Sequence, residues 1–128
     1  MTPEELEKTV DLIGLKTLVL AGISADDLLS NPYQVVFVND FIEFYNENNK
    51  IDSYNDLPAA IYADGGRVWF KNGKIHRNGD KPAVIYADGS REWYKNGKFI
   101  KKEKPQNNIN EVKILICSII KEICNRKY

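Results

Sequence analysis

The hydrophobic positions change period along the chain. Leu6, Val10 and Ile13 recur at helical spacing, Thr17 continues the line, and Leu12, Leu15 and Leu18 to Leu20 widen the stripe. Thr2-Pro3-Glu4-Glu5 supplies a helix start, with Thr2 as cap, Pro3 at the first helical position and Glu5 closing a capping box. Gly14 weakens the interior and Gly22 provides a stop. Ser24-Ala25-Asp26-Asp27 predicts another cap and a short helix through Leu29. Asn31-Pro32 then reads as an N-cap with proline behind it. Phe37, Phe41 and Phe44 lie at helical spacing, as do Val35, Val38, Ile42 and Tyr45. The β-branched run from Val35 to Val38 also suits a buried strand; length and the start signal favour a helix that ends over 46–50.

Past residue 55 the pattern turns to short β runs. The unit P-A-A-I-Y-A-D-G-G-R-V-W-F-K-N-G-K starts at Pro58 and returns at Pro82 as P-A-V-I-Y-A-D-G-S-R-E-W-Y-K-N-G-K, a period of 24 residues with 13 of 17 positions identical. Asp64-Gly65, Asp88-Gly89, Asn72-Gly73 and Asn96-Gly97 are hairpin dipeptides, because glycine accepts positive φ and Asn or Asp nearly does. They predict a six-strand antiparallel meander near 59–63, 67–71, 74–76, 82–87, 91–95 and 98–101.

If every turn has two residues, Tyr86 opposes Arg91, Ile85 opposes Glu92, Val84 opposes Trp93, Tyr94 opposes Phe99 and Trp93 opposes Ile100. One face then carries Tyr62, Arg67, Trp69, His76, Tyr86, Arg91 and Trp93, and the other Ile61, Val68, Phe70, Ile75, Ile85, Tyr94 and Phe99. The second, more aliphatic face is expected to pack on helices. A slip of one residue would exchange the faces.

After the polar linker Gln106-Asn107-Asn108, a last helix is capped by Asn108 or Asn110. Its apolar stripe is Ile109, Val112, Ile116, Ile119, Ile120 and Ile123, with Lys113, Lys121 and Glu122 outside it. The sheet, the N-terminal helices or a second subunit could cover it. The expected fold class is α+β: a six-strand meander of two 24-residue repeats, flanked by N-terminal helices and a C-terminal amphipathic helix. The chain is expected to form one domain of 128 residues, with a helical segment at 1–50, a β-repeat region at 55–104 and the last helix at 107–128.

The net charge of zero hides an uneven layout: 1–57 carries −8, 58–104 carries +6 and 105–128 carries +2. Mutual attraction of the segments, within or between chains, is the simplest use of this layout; an anionic partner for the basic part is the other. Cys117 and Cys124 are seven residues apart on one helix, a rise of about 10 Å, which is too far for a disulfide between them. Buried free thiols, an acidic start and no apolar run near ~18 residues point to a soluble cytoplasmic protein, in the host cytoplasm if the chain is viral.

The pattern Asp-Gly-x-x-x-Trp-Phe/Tyr-Lys-Asn-Gly-Lys-x-His-Arg-x-Gly-Asp-x-Pro-Ala resembles the MORN-variant repeats of phages, large DNA viruses and some bacteria. Trp69, Asn72, Gly73, His76, Arg77, Gly79, Asp80, Pro82 and Ala83 carry the match, which covers residues 55–101 only. After Lys98 the second copy departs, with Phe99-Ile100-Lys101-Lys102 in place of Ile75-His76-Arg77-Asn78, as a capping terminal copy would. Some related bacterial proteins are regarded as antitoxins, so the resemblance implies an antitoxin- or immunity-like role as one alternative.

No constellation points to catalysis. His76 is the sole histidine, which leaves no histidine-based zinc set. Asp64, Asp80 and Asp88 stand in glycine turns where a backbone role suffices, and no phosphate loop, dinucleotide fingerprint or nucleophile elbow is present. The sequence thus predicts a non-enzymatic protein-interaction module without cofactor or metal, of a phage-accessory or host-inhibitor kind. It would act through the repeat sheet or the flanking helices, with homo-oligomerisation open to it. Nucleic-acid binding by the basic aromatic face is the alternative, since aromatics stack on bases and arginines hold phosphate. The candidate binding residues are Tyr62, Arg67, Trp69, His76, Tyr86, Arg91 and Trp93.

Overall fold

The computed structural model describes residues 2, 4, 12–38, 41–105 and 109–126. The start signal at Pro3 and Glu5 and the leading positions Leu6 and Val10 lie outside them. Helix α1 (Leu12–Leu20) ends at Gly22, whose φ of +75° allows the Ile23 N–H to reach the Leu18 carbonyl at 3.1 Å. Helix α2 (Ala25–Ser30) opens with the expected cap at Ser24, which the structure extends to a full capping box: the Asp27 N–H donates to Ser24 Oγ at 3.0 Å and the Ser24 N–H to Asp27 Oδ2 at 3.2 Å.

The next segment is a hairpin, β1 (Gln34–Val38) and β2 (Phe41–Tyr45), and not the expected helix. The apparent start signal serves a turn, since Asn31 Oδ1 accepts the Tyr33 N–H at 2.9 Å. The β-branched run Val35 to Val38 then takes the extended form it favours.

Seven strands make one antiparallel sheet in the order β1-β2-β3-β4-β7-β8-β9, where β3 is Ala60–Tyr62, β4 Arg67–Val68, β7 Val84–Ile85, β8 Arg91–Lys95 and β9 Lys98–Glu103. The hairpin β5 (Phe70–Lys71) and β6 (Lys74–Ile75) forms a separate two-stranded ribbon, so β4 pairs directly with β7. The fold is α+β, but the simple six-strand meander gives way to this arrangement.

Register differs from expectation at the Asp-Gly turns. The Tyr86 N–H donates to the Ser90 carbonyl at 2.9 Å, so Ala87-Asp88-Gly89 is a three-residue loop and Ile85 faces Arg91. Tyr62 and Gly66 close the corresponding loop around Ala63-Asp64-Gly65. Only the glycines take positive φ there, whereas in Asn72-Gly73 and Asn96-Gly97 both residues do. The Asn-Gly turns are therefore the two-residue kind, and the Asp-Gly turns carry one residue more. At the last hairpin Tyr94 opposes Phe99 as expected, but a bulge at Trp93/Tyr94 sets Trp93 against Lys101 instead of Ile100.

Helices α1 and α2 cover one face over β2 and β3. Leu18, Ala21, Ile23 and Leu28 meet Ile42, Phe44 and Ile61 there, with Tyr33, Val35 and Phe37 at the edge. On the opposite face Ala60, Val68 and Val84 form a second cluster, closed by Ile51, Phe70, Ile75 and Tyr94. The predicted aliphatic face is thus split: Ile61 packs on the helices, while Val68, Phe70, Ile75 and Tyr94 build the second cluster. Helix α3 (Ile109–Arg126) is exposed at every described side chain, Cys117 and Cys124 included, so these thiols are not buried as expected. No helix among the described residues is long and apolar enough to cross a membrane.

Ile61 has no exposed surface and contacts both helices' cluster, so Ile61→Ala should cost about 2–5 kcal/mol in urea unfolding, against a change within about 0.5 kcal/mol for Ile114→Ala on the exposed helix.

Candidate functional site

The seven candidate residues do not share a face. Cross-strand pairing puts Ile42, Ile61, Arg67, Ile85, Arg91 and Glu103 in one row on the helix-covered face, with Trp69 and Trp93 beside them. Tyr62 and Tyr86 stand on the opposite face, because each three-residue loop shifts the pairing by one. His76 lies outside the sheet, at the end of the β5–β6 ribbon.

The tryptophans are buried, at 4% exposure for Trp69 and 8% for Trp93, each beneath cations. The Arg77 guanidinium lies 3.8 Å from the Trp69 ring centroid and is held by both carboxylate oxygens of Asp56, at 2.9 and 3.1 Å. Lys101 takes the same place over Trp93 at 4.4 Å, 24 residues further on. Arg67 and Arg91 flank the same two rings at 6.0 and 5.5 Å. Arg91 also pairs with Glu103 at 2.8 Å. The Trp69 indole N–H donates to the Asp56 carbonyl at 2.9 Å, whereas the buried indole N–H of Trp93 has no protein acceptor.

His76 is a structural link. Its Nδ1 accepts the Asn96 N–H at 3.0 Å, which places the ring proton on Nε2 for donation to Asn78 Oδ1 at 2.8 Å. Asp52, 24 positions earlier, accepts the Asn72 N–H in the same way at 3.1 Å. Gly97 and Gly73 donate to the carbonyls of Ile75 and Ile51, each at 2.8 Å. The repeat unit therefore reaches back to Ile51, ahead of the segment that sequence identity marks.

The carboxylates of the Asp-Gly loops act locally. Asp64 Oδ1 accepts the Gly66 N–H and Asp88 Oδ1 the Ser90 N–H, both at 2.8 Å. The hydrogen bonds from Ser90 hold the Asp88 carboxyl below its ordinary range. The Arg77 guanidinium does the same for Asp56, more than offsetting partial burial.

On the face opposite the helices a cleft of about 360 Å³ opens between Tyr62 and Tyr86. Both residues are 43% exposed and stand two strands apart, so their backbones are about 10 Å apart at the usual strand spacing. Gly66 lies between them in the same row, and Val68 and Val84 form the floor. Glu92 closes one side. Its Oε1 accepts the Tyr86 hydroxyl at 2.9 Å and the Tyr94 hydroxyl at 3.1 Å, and the Lys102 amine lies 3.8 Å from Oε2. Lys102 also sits 5.3 Å from the Tyr86 ring centroid. The Glu92 carboxylate raises the hydroxyl pKa of Tyr86 by its hydrogen bond; for Tyr94, burial comes first and Glu92 second.

The repeat copies differ at four of their 17 aligned positions: Ala60/Val84, Gly66/Ser90, Val68/Glu92 and Phe70/Tyr94. All four pairs fall on the face that holds the cleft. The second copy joins Glu92 and Tyr94 by a hydrogen bond, where the first carries Val68 and Phe70 in an apolar cluster. Glu92 was missed as a site residue, although the departure from its own repeat marks it. Among the described residues, no group of three His, Cys, Asp or Glu is placed to hold a metal ion. The chain matches no family model, no curated protein and no solved structure.

Two titrations check this geometry. Asp56 is more acidic in the fold, so its ion pair stabilises above about pH 4 and is lost as pH falls through the lowered value; Asp56→Asn should flatten this acid limb of the stability profile. Glu92→Gln should bring the ionisation of Tyr86 and Tyr94 back toward about pH 10 in an absorbance titration, with the change reduced in a Tyr86→Phe background.

Proposed function

We propose that the chain is a non-enzymatic protein-interaction module whose recognition site is the cleft between Tyr62 and Tyr86. The observation that carries this reading is the concentration of all four repeat differences on the cleft face, while the opposite face keeps the same Arg-Trp arrangement in both copies. Three tyrosines with the carboxylates of Asp64 and Glu92 suit a lysine or arginine side chain on the partner, seated by ring faces and an acid. Lys102 lies against Tyr86 and Glu92 within the chain, which supports this reading.

The nucleic-acid reading has less support from the geometry. Both indoles are buried, and Arg77 and Arg91 are already paired with Asp56 and Glu103. The phage-accessory and antitoxin-like roles rest on the repeat resemblance alone. Asp64 and Asp88 accept the N–H groups of Gly66 and Ser90, two residues on, which supports a role in turns rather than in acid-base chemistry.

Affinity capture from a host lysate, run in parallel with the wild type and with Tyr62→Ser/Tyr86→Ser, tests the site. A partner recovered by the wild type should fall at least about tenfold with the double variant and weaken with added salt. Equal recovery by both proteins, with circular dichroism showing the variant folded, sinks the reading.

A further inference from the structure

Helix α3 repeats its apolar residues with a different period from a helix laid on a sheet. Ile109, Val112, Ile116, Ile119 and Ile123 follow steps of three, four, three and four, which is a heptad seam over two cycles. Leu115 and Ile120 adjoin the seam at its two flanks. Every described side chain from Lys113 to Arg126 is exposed, and Ile116, Ile119, Ile120 and Ile123 are each 51–55% exposed.

Such a helix does not sustain itself. An isolated helix of this length is marginal in water, and this one carries six isoleucines and a valine, whose β-branches lower helix propensity. Its order needs a covering surface. On the sheet, α1 and α2 already take the helix-packing face, and Ile51, Phe70, Ile75 and Tyr94 cover part of the opposite face beside the tyrosine cleft. A 3.5-residue seam stays in contact with a second helix that carries the same repeat, which another copy of this chain supplies.

We propose that α3 is a self-association element that packs against the α3 helices of further copies of this chain in a coiled coil of three or four strands. Strand number follows from side-chain shape. β-Branched residues at both seam positions, isoleucine at 109, 116, 119 and 123 and valine at 112, disfavour a two-stranded coil, and apolar Leu115 and Ile120 beside the seam extend the contact surface that additional helices need. Cys117 and Cys124 both fall at the same outward heptad position, so the assembly leaves the thiols accessible and unpaired. This proposal rests on a different element from the tyrosine cleft and does not depend on it.

Light scattering and sedimentation equilibrium on the full chain test it. The expected mass is three or four times 14.7 kDa, with both cysteines per chain reacting with a thiol reagent in the assembled state. Ile116→Lys/Ile119→Lys should reduce the mass to one chain while the near-ultraviolet signal of the buried tryptophans persists, because α3 makes no described contact with them. Ser118→Lys, off the seam, should leave the assembly intact. A wild-type monomer at about 100 μM, a strict dimer, or an oligomer that survives the double lysine variant would each overturn the proposal.

Discussion

The structure depends on the tether between each hairpin tip and the unit before it. Two N–H groups at a left-handed Asn-Gly turn reach back about 20 residues, one to an isoleucine carbonyl and one to the side chain of Asp52 or His76. The turn must have both residues at positive φ for its donors to point that way, which few residue types tolerate. The tether carries the first ribbon, β5–β6, out of the sheet and lets β4 meet β7. It also presses Phe70 and Ile75 onto Val68 and Val84, which closes the second cluster. Without it the repeats would be hairpins with little apolar surface to share.

The end of the array follows from the same logic. In the first unit the chain leaves after β6, loops through Arg77, and returns as β7 beside β4. In the second, β9 runs straight on, past a bulge, into the place beside β8 that a third unit's strand would take. Lys101 supplies the cation over Trp93 that Arg77 supplies over Trp69. Termination therefore keeps the indole covered while ending the pairing. Among the described residues the buried Trp93 indole N–H is left without an acceptor, since the loop through Asp80 does not repeat the bond that Asp56 makes to Trp69.

The sequence made some of this legible for definite reasons. Gly22, the Ser24 cap and the Asn-Gly turns are local devices whose geometry depends on a few adjacent residues, and they form as read. The Asp-Gly loops use the same dipeptide in a longer turn, and the deciding feature is the Asp carboxylate binding the N–H two residues on. One residue of loop length then moved Tyr62 and Tyr86 away from Trp69 and Trp93. The hairpin β1–β2 escaped because phenylalanines three and four apart serve a strand pair as well as a helix, and Asn31-Pro32 opens a turn as readily as a helix. Glu92 could be found from the internal comparison of the two units, but its tyrosine partners could not.

Only five residues, Lys104 to Asn108, separate β9 from α3. Fully extended, the six steps from Glu103 to Ile109 span at most about 22 Å. Chains gathered by α3 would hold their sheets within a short radius of one axis, each with its own tyrosine cleft. A partner with repeated basic side chains would then meet several seats at once, and each engagement after the first would be governed by effective concentration rather than by intrinsic affinity. Such a module gains avidity from a weak single seat, and its binding would depend on the spacing of the basic groups along the partner as much as on their identity.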